Sequence, residues 1–236
     1  MYIPDSVPYY DKLYEAQGKD YRGEAAYVRD VIRSRRGTRK TSLLDVGCGT
    51  GGHLVYLRKD FDVEGVDVGL EFVKVARAKV PRTKIYVGDM RTFSIGKEYD
   101  VVTCLFSSIG YMDTYGKLVS ALRNMARHVR AGGVMLIEPW FSPGQIANGR
   151  VSVTSVDEEK LKVVRMSTTK VEGAISSFDF HYLVGTPQGT THFVEKHRLG
   201  MFTREEMTGA FEKCRLSVEF DKVGPTGRGM YIGQKS

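Results

Sequence analysis

Cysteine is scarce in this chain. Its 236 residues hold three, Cys48, Cys104 and Cys214, widely spaced and without a Cys-x-x-Cys pair. An odd, scattered set excludes a disulfide framework and fits reduced thiols in the cytoplasm. Long apolar runs are missing too. The strongest uncharged stretch, Val101 to Met112, is twelve residues, against the roughly 20 that span a bilayer. The opening Met1-Tyr2-Ile3-Pro4-Asp5 has neither the charged flank nor the apolar centre of a signal peptide. A cytoplasmic protein without a membrane partner is therefore expected. No two histidines sit at ligand spacing beside a carboxylate, so no metal is expected. A broad basic surface is absent as well. Lys and Arg number 35 against 28 Asp and Glu, but Arg33, Arg35, Arg36, Arg39 and Lys40 supply five, and without them 30 face 28. That local excess reads as cations at a helix C-terminus, and no nucleic-acid track is indicated.

What is present has the size and rhythm of one α/β domain. Tyr21, Ala25, Val28 and Ile32 recur at helical spacing. Ser42 to Val46, Val63 to Val68, Lys84 to Val87, Tyr99 to Phe106 and Val134 to Ile137 read as strands, with helices over Leu70 to Lys79 and from Leu118 towards Val129. Strand alternating with helix at this interval predicts a parallel sheet with right-handed crossovers. After Glu138-Pro139-Trp140 the period changes. Lys160 to Thr169, Ala174 to Val184 and Thr190 to Met201 alternate like strands, separated by Glu172-Gly173 and Pro187-Gln188-Gly189. An antiparallel meander inserted at 140–201 is expected, with 1–139 and 202–236 forming the core. Thr203 to Glu206 opens a further helix with a capping-box pattern.

The chemistry gathers at Asp45-x-Gly47-Cys48-Gly49-x-Gly51, followed 22 residues later by Asp67 at the end of the second strand. Glycines between strand and helix let a ligand approach the backbone, because no Cβ intervenes. An acid one strand over can accept both hydroxyls of a ribose. Gly52 also completes the G-x-G-x-x-G of dinucleotide sites, and a plain nucleotide-fold core with tight turns would use the same glycines. Two acids favour S-adenosylmethionine (SAM). Asp45 would repel a pyrophosphate but attract an ammonium. Asp89, followed by Met90 after the third strand, is placed for an adenine amino group and ring. Tyr111, just past the fourth strand, is a catalytic candidate, since ligands in open parallel sheets bind beyond the strands' carboxyl ends.

These elements resemble the class I SAM-dependent methyltransferases. Within them the chain resembles the nucleotide-sugar N,N-dimethyltransferases, which dimethylate the amino group of TDP-linked aminohexoses of desosamine and mycaminose type. The likeness runs through Tyr10-Asp11, Gly18 to Tyr21, Ser42 to Asp45, Cys48 to Gly51, Gly88 to Arg91, Phe106 to Gly110, Glu138-Pro139-Trp140, His181-Tyr182, Leu216 to Phe220 and Gly227-Arg228-Gly229. Departures include Gly47 where relatives carry Ala, Asp67 where they carry Glu, and Tyr111 where some carry His.

The resemblance implies a Rossmann-like α/β sheet, mostly parallel with its last strand antiparallel. It implies SAM as cofactor, a nucleotide-sugar substrate and a homodimer built partly on the meander. Tyr21, Asp45, Gly47, Cys48, Gly49, Gly51, Asp67, Asp89, Met90 and Phe106 would hold the cofactor. Tyr2, Tyr10, Tyr111 and His181 would serve catalysis. Ser107, Ser108, Trp140, His181 and Arg228 would hold the substrate, with Arg228 on the diphosphate, for which its planar fork is suited. Two other readings share the cofactor residues: methylation of a different small amine or hydroxyl, and a SAM-binding module without turnover.

Overall fold

The computed structural model describes residues 4–236. A short 3-10 turn leads into α1 (Tyr10–Ala16) and α2 (Tyr21–Arg36). Then follow β1 (Ser42–Val46), α3 (Gly52–Leu57), β2 (Asp62–Asp67), α4 (Leu70–Lys79), β3 (Lys84–Val87), β4 (Tyr99–Cys104), α5 (Tyr115–Arg127) and β5 (Val129–Ile137). The strands β6 (Val151–Glu158), β7 (Leu161–Glu172), β8 (Ile175–Thr186) and β9 (Gly189–Gly200) come next. The chain closes with α6 (Arg204–Glu212), β10 (Leu216–Asp221) and β11 (Met230–Lys235).

Seven strands form one sheet in the order β10-β11-β5-β4-β1-β2-β3. β1 to β5 run parallel, and β11 pairs antiparallel with both β5 and β10. Successive residues of the central strands feed opposite faces, so both faces are apolar. Leu43, Val101 and Leu136 pack with α2, α3 and α4, while Leu44, Val102 and Met135 pack with α5 and α6. The predicted alternation and the capping box on Thr203 and Glu206 are both present. Asp20 caps α2 by accepting from the Gly23 amide at 2.9 Å.

Two sequence expectations needed correction. The meander has four strands, in the order β6-β7-β8-β9. β6 escaped the pattern because Val151 and Val153 lie on its exposed face. β5 begins at Val129, five residues before the expected Val134, and runs through Ala131-Gly132-Gly133. The pairing with β4 jumps there, from Tyr99 opposite Val129 to Val101 opposite Val134, and Gly132 takes up the irregularity at φ 71°. α1 carried no expectation, because its seven residues are too few for a period. Its one fully buried side chain, Leu13, packs against Val156, Val163, Tyr182 and Val184 of the meander. α1 thus spans from the second sheet to the strand tips of the first.

The basic run is structural. Arg33 pairs with Asp60 at 2.6 Å, Arg35 with Glu219 at 2.6 Å, and Arg36 with Asp100. Among the described residues no helix is long and apolar enough to cross a membrane, and no cluster of metal-ligating side chains occurs.

Candidate active site

A cleft of about 620 Å³ opens between α1, the carboxyl ends of β4 and β5, and the inner face of the meander. Tyr10, Phe106, Ser107, Ser108, Tyr111, Trp140 and Arg228 all line it. Tyr10 stands edge-on to Tyr14 and Phe72, with centroids 4.7 and 5.1 Å apart, and Tyr14 stands edge-on to Phe106 at 5.0 Å. Burial pushes the Tyr10 phenol well above its usual range, so it stays protonated. Tyr2 lies outside the described residues.

The glycine loop adjoins the cleft from the tips of β1 and β2. Gly47, Gly49 and Gly51 adopt φ of 72°, 54° and 78°, the left-handed region where side chains are costly. Cys48, between them, is buried and its thiol is pushed up by desolvation. Asp67 accepts from the Gly49 and Gly69 amides at 2.9 and 2.8 Å, which fixes its carboxylate at the loop. Asp89 is clasped by Arg91, with Nη2 at 2.5 Å, and held below the usual carboxylate range. The Met90 side chain reaches towards Gly47, 3.9 Å from where a Cβ would stand.

Asp45 is 1% exposed and takes a 2.8 Å hydrogen bond from the Thr103 hydroxyl. Desolvation pushes its carboxyl up to about 6. Lys19 and His53 lower it only in part, and among the described residues no salt bridge reaches Asp45, so a cationic ligand would relieve its burial. Gly52, the residue that completes a dinucleotide pattern, has another use. A Cβ there would stand 2.6 Å from the Tyr21 ring, so the glycine admits Tyr21, which stacks edge-on to His53 at 5.0 Å. A pyrophosphate approaching that turn would meet an aromatic ring and a buried acid. An adenosyl group bearing an ammonium fits these residues better.

Phe106 and Ser107 both have positive φ, 51° and 61°, a strained state for non-glycine residues that costs about 1–3 kcal/mol each. Glu138 holds them there. It is 0% exposed and accepts from the Phe106 amide at 2.6 Å, from Arg228 Nη2 at 2.8 Å and from the Thr226 hydroxyl. The Ser107 hydroxyl donates to the Pro139 carbonyl at 2.6 Å. The strain presents the Phe106 ring to the cleft, where the Lys19 ammonium already sits 3.4 Å from its centroid. Lys19 pairs with Glu24 at 2.5 Å, and burial lowers its pKa.

His181 requires correction. It is exposed on the outer face of β8, stacked on His192 with centroids 5.6 Å apart, and borders a separate hollow with Met166 and Lys170. The histidine in the cleft is His197, 3% exposed. Its Nδ1 lies 2.8 Å from the Tyr111 hydroxyl and its Nε2 lies 2.5 Å from Glu195 Oε1. A signal for this was present. Phe178, Phe180, Tyr182 and Val184 alternate along β8 and define its inner face, which puts His181 outside. On β9 the partly buried Phe193 and the buried Leu199 share parity with Glu195 and His197. Glu138, Lys19 and Arg165 were also missed as site residues. Arg165 is 3% exposed, with its guanidinium 4.3 Å from the Phe180 ring and 4.8 Å from the Tyr14 ring.

A family model described as a methyltransferase domain matches residues 43–133. The chain is 40% identical over 234 residues to dTDP-3-amino-3,6-dideoxy-alpha-D-glucopyranose N,N-dimethyltransferase of Streptomyces fradiae, covering 98% of this chain and 91% of that one. It is 37% identical to dTDP-3-amino-3,4,6-trideoxy-alpha-D-glucopyranose N,N-dimethyltransferase of Streptomyces venezuelae, covering 99% of both. Among solved structures, Streptomyces venezuelae DesVI superposes with a TM-score of 0.92 at 36% identity over 100% of both chains. SAM-bound CalS10, an amino pentose methyltransferase from Micromonospora echinaspora, superposes with 0.87 at 36% identity over 96% of both.

Proposed function

The chain belongs to the SAM-dependent methyltransferases, in the family of the dTDP-aminosugar N,N-dimethyltransferases, and from that premise we propose that it dimethylates the amino group of a dTDP-linked amino-deoxyhexose. The observation that carries the substrate class is the charge of the cleft. Lys19, Arg150, Arg165 and Arg228 all line it, together with Trp140 and Phe141. Asp20 and Glu24 share the lining, Lys19 being paired with Glu24 and Arg228 with the buried Glu138. The positive charge that remains beside an aromatic wall suits a nucleoside diphosphate, whose oxygens the Arg forks match. The cleft volume also falls within the range of about 300–1,000 Å³ typical for ligands of this kind.

Asp67 would hold the cofactor's ribose, Asp89 and Met90 its adenine, and Asp45 with Tyr21 its amino-acid end. When bound, SAM supplies an electrophilic methyl group on a sulfonium. The protein's own contribution is positioning, worth up to roughly 7–11 kcal/mol for well-aligned partners. Phe106 carries the Lys19 ammonium against its ring, Tyr10 and Tyr111 line the cleft, and α1 covers the strand tips against water. Ser107, Ser108 and Trp140 would border the sugar, and Arg228 the diphosphate.

A homodimer through the outer face of the meander belongs to the same reading. Val153, Met166, His181 and Val194 form one row of register partners across that sheet. Val153 is 63% and Met166 48% exposed, an apolar stripe that a second copy would cover. The protein acts in the cytoplasm, where nucleotide sugars and SAM are made.

Product analysis tests the function. Incubation with SAM and a dTDP-3-amino-3,6-dideoxyhexose is expected to give monomethyl and then dimethyl amine, as read by mass and NMR. Product carrying an O-methyl group, or no methylated sugar, refutes the reading.

A further inference from the structure

The inner face of the meander contributes more than a roof. Glu195 and His197 are two residues apart on β9 and share that face, with exposures of 0% and 3%. A carboxylate and an imidazole buried this deeply would pack no worse as apolar side chains, so the pair needs a reason beyond packing. His197 is also the link between Glu195 at 2.5 Å and Tyr111 at 2.8 Å. Tyr111 comes from the turn after β4, 86 residues earlier in the chain.

The order of the chain fixes its protons. As a carboxylate Glu195 accepts, which puts the hydrogen on His197 Nε2 and leaves Nδ1 of the neutral ring as an acceptor. Burial, opposed by Glu195, lowers the His197 pKa and keeps the ring neutral at rest. Tyr111 must then donate its O–H to Nδ1. A hydroxyl committed as donor on that side meets an N–H in the cleft as an acceptor.

We propose that Glu195 and His197 are positioning residues that make Tyr111 the acceptor for the substrate's ammonium proton, and that His197 takes up that proton before each methylation. The proposal rests on the N-methylation reading. In the step, the ammonium N–H bond breaks and its proton passes to Tyr111 Oη as the Tyr111 O–H proton passes to His197 Nδ1. The nitrogen keeps the electron pair with which it attacks. The imidazolium so formed lies against Glu195 and returns its proton to water when product leaves. The requirement recurs in the second round, because the monomethyl product is again an ammonium ion. Among the described residues, the charged and titratable groups facing this chain are Glu195 from β9, Arg165 from β7, Tyr182 from β8, whose hydroxyl is 3.4 Å from Glu195, and Tyr111 itself. Arg165 disfavours the imidazolium and Glu195 favours it.

Two conservative variants, Glu195→Gln and His197→Gln, and Tyr111→Phe provide the test. First- and second-transfer rates are measured from about pH 6 to 9, alongside SAM binding by calorimetry and the His197 tautomer by 15N NMR. Near pH 7 all three variants are expected to lose about 100-fold in kcat, the lower end of the range for assisted proton transfer, with SAM affinity unchanged within about twofold. Raising the pH above the amine's own pKa should restore most of the rate, because a free amine needs no acceptor. In the wild type the NMR should report the Nε2–H form. Folded variants that keep the wild-type rate and pH profile overturn the proposal, as does an equal loss at every pH or an Nδ1–H tautomer. If the wild type methylates the sugar and the variants behave so, the relay alone fails. A wild type that methylates no sugar refutes the functional reading itself.

Discussion

Replacing Asp45 by Asn separates two quantities that usually move together, because the same carboxylate destabilises the empty protein and attracts the cofactor. Its pKa stands at about 6 rather than 3.8, raised by burial and by Asp67 and lowered by His53, Lys19 and the Thr103 hydroxyl. A folded-state pKa above the unfolded one means the native state binds more protons between the two values. Stability of the cofactor-free protein should therefore fall as pH rises from about 4 to about 6, by up to about 3 kcal/mol at 1.36 kcal/mol per unit, and level off above. SAM binding should show the opposite trend. If its ammonium requires the ionised carboxylate, affinity is about tenfold weaker at pH 5 than at pH 7, where the carboxylate is ionised in the free protein. Asp45→Asn keeps the shape and removes the charge. A hydrogen bond to a charged group contributes about 1.5–3 kcal/mol, so the variant should bind SAM about 10- to 150-fold more weakly at pH 7. It should lose the slope between pH 5 and 7 and melt no lower than wild type when empty. Calorimetric titration at each pH and thermal unfolding of the empty protein give both readings. A flat wild-type affinity, or a slope that survives in Asp45→Asn, would remove Asp45 from the ammonium and move attention to Asp67, whose pKa is also raised by burial.

Arg228→Ala should raise KM for a dTDP-sugar far more than for SAM and lower stability by about 3–5 kcal/mol, since it leaves the 0%-exposed Glu138 without its cation. The double variant with Glu138→Gln should recover part of that stability, and equal effects on the two KM values would take Arg228 out of the substrate site. Met166→Glu places a charge in the apolar row on the outer face of the meander. It should convert a dimer to monomer in sedimentation, and a wild type that sediments as a monomer would refute that interface.

The sequence determined by itself whatever depends on near neighbours in the chain. Period-two and period-3.6 patterns set most of the elements, Thr203 and Glu206 marked a helix start, and the glycine loop with Asp45 and Asp67 lay within one strand-helix-strand unit. Such features follow from local sterics and the fixed rise of strands and helices, so spacing alone exposes them. The tertiary structure decided whatever depends on which distant segments meet. His197 faces Tyr111 across 86 residues and Arg228 reaches Glu138 across 90, and no local rule sets those distances. The exchange of roles between His181 and His197 shows the reason most clearly. Both lie mid-strand in the meander, and a shift of one position turns a side chain from the cleft to the outside. The alternation of Phe178, Phe180, Tyr182 and Val184 marks the inner parity of β8, but that this face closes on Leu13 of α1 and over the strand tips was decided only by the tertiary structure.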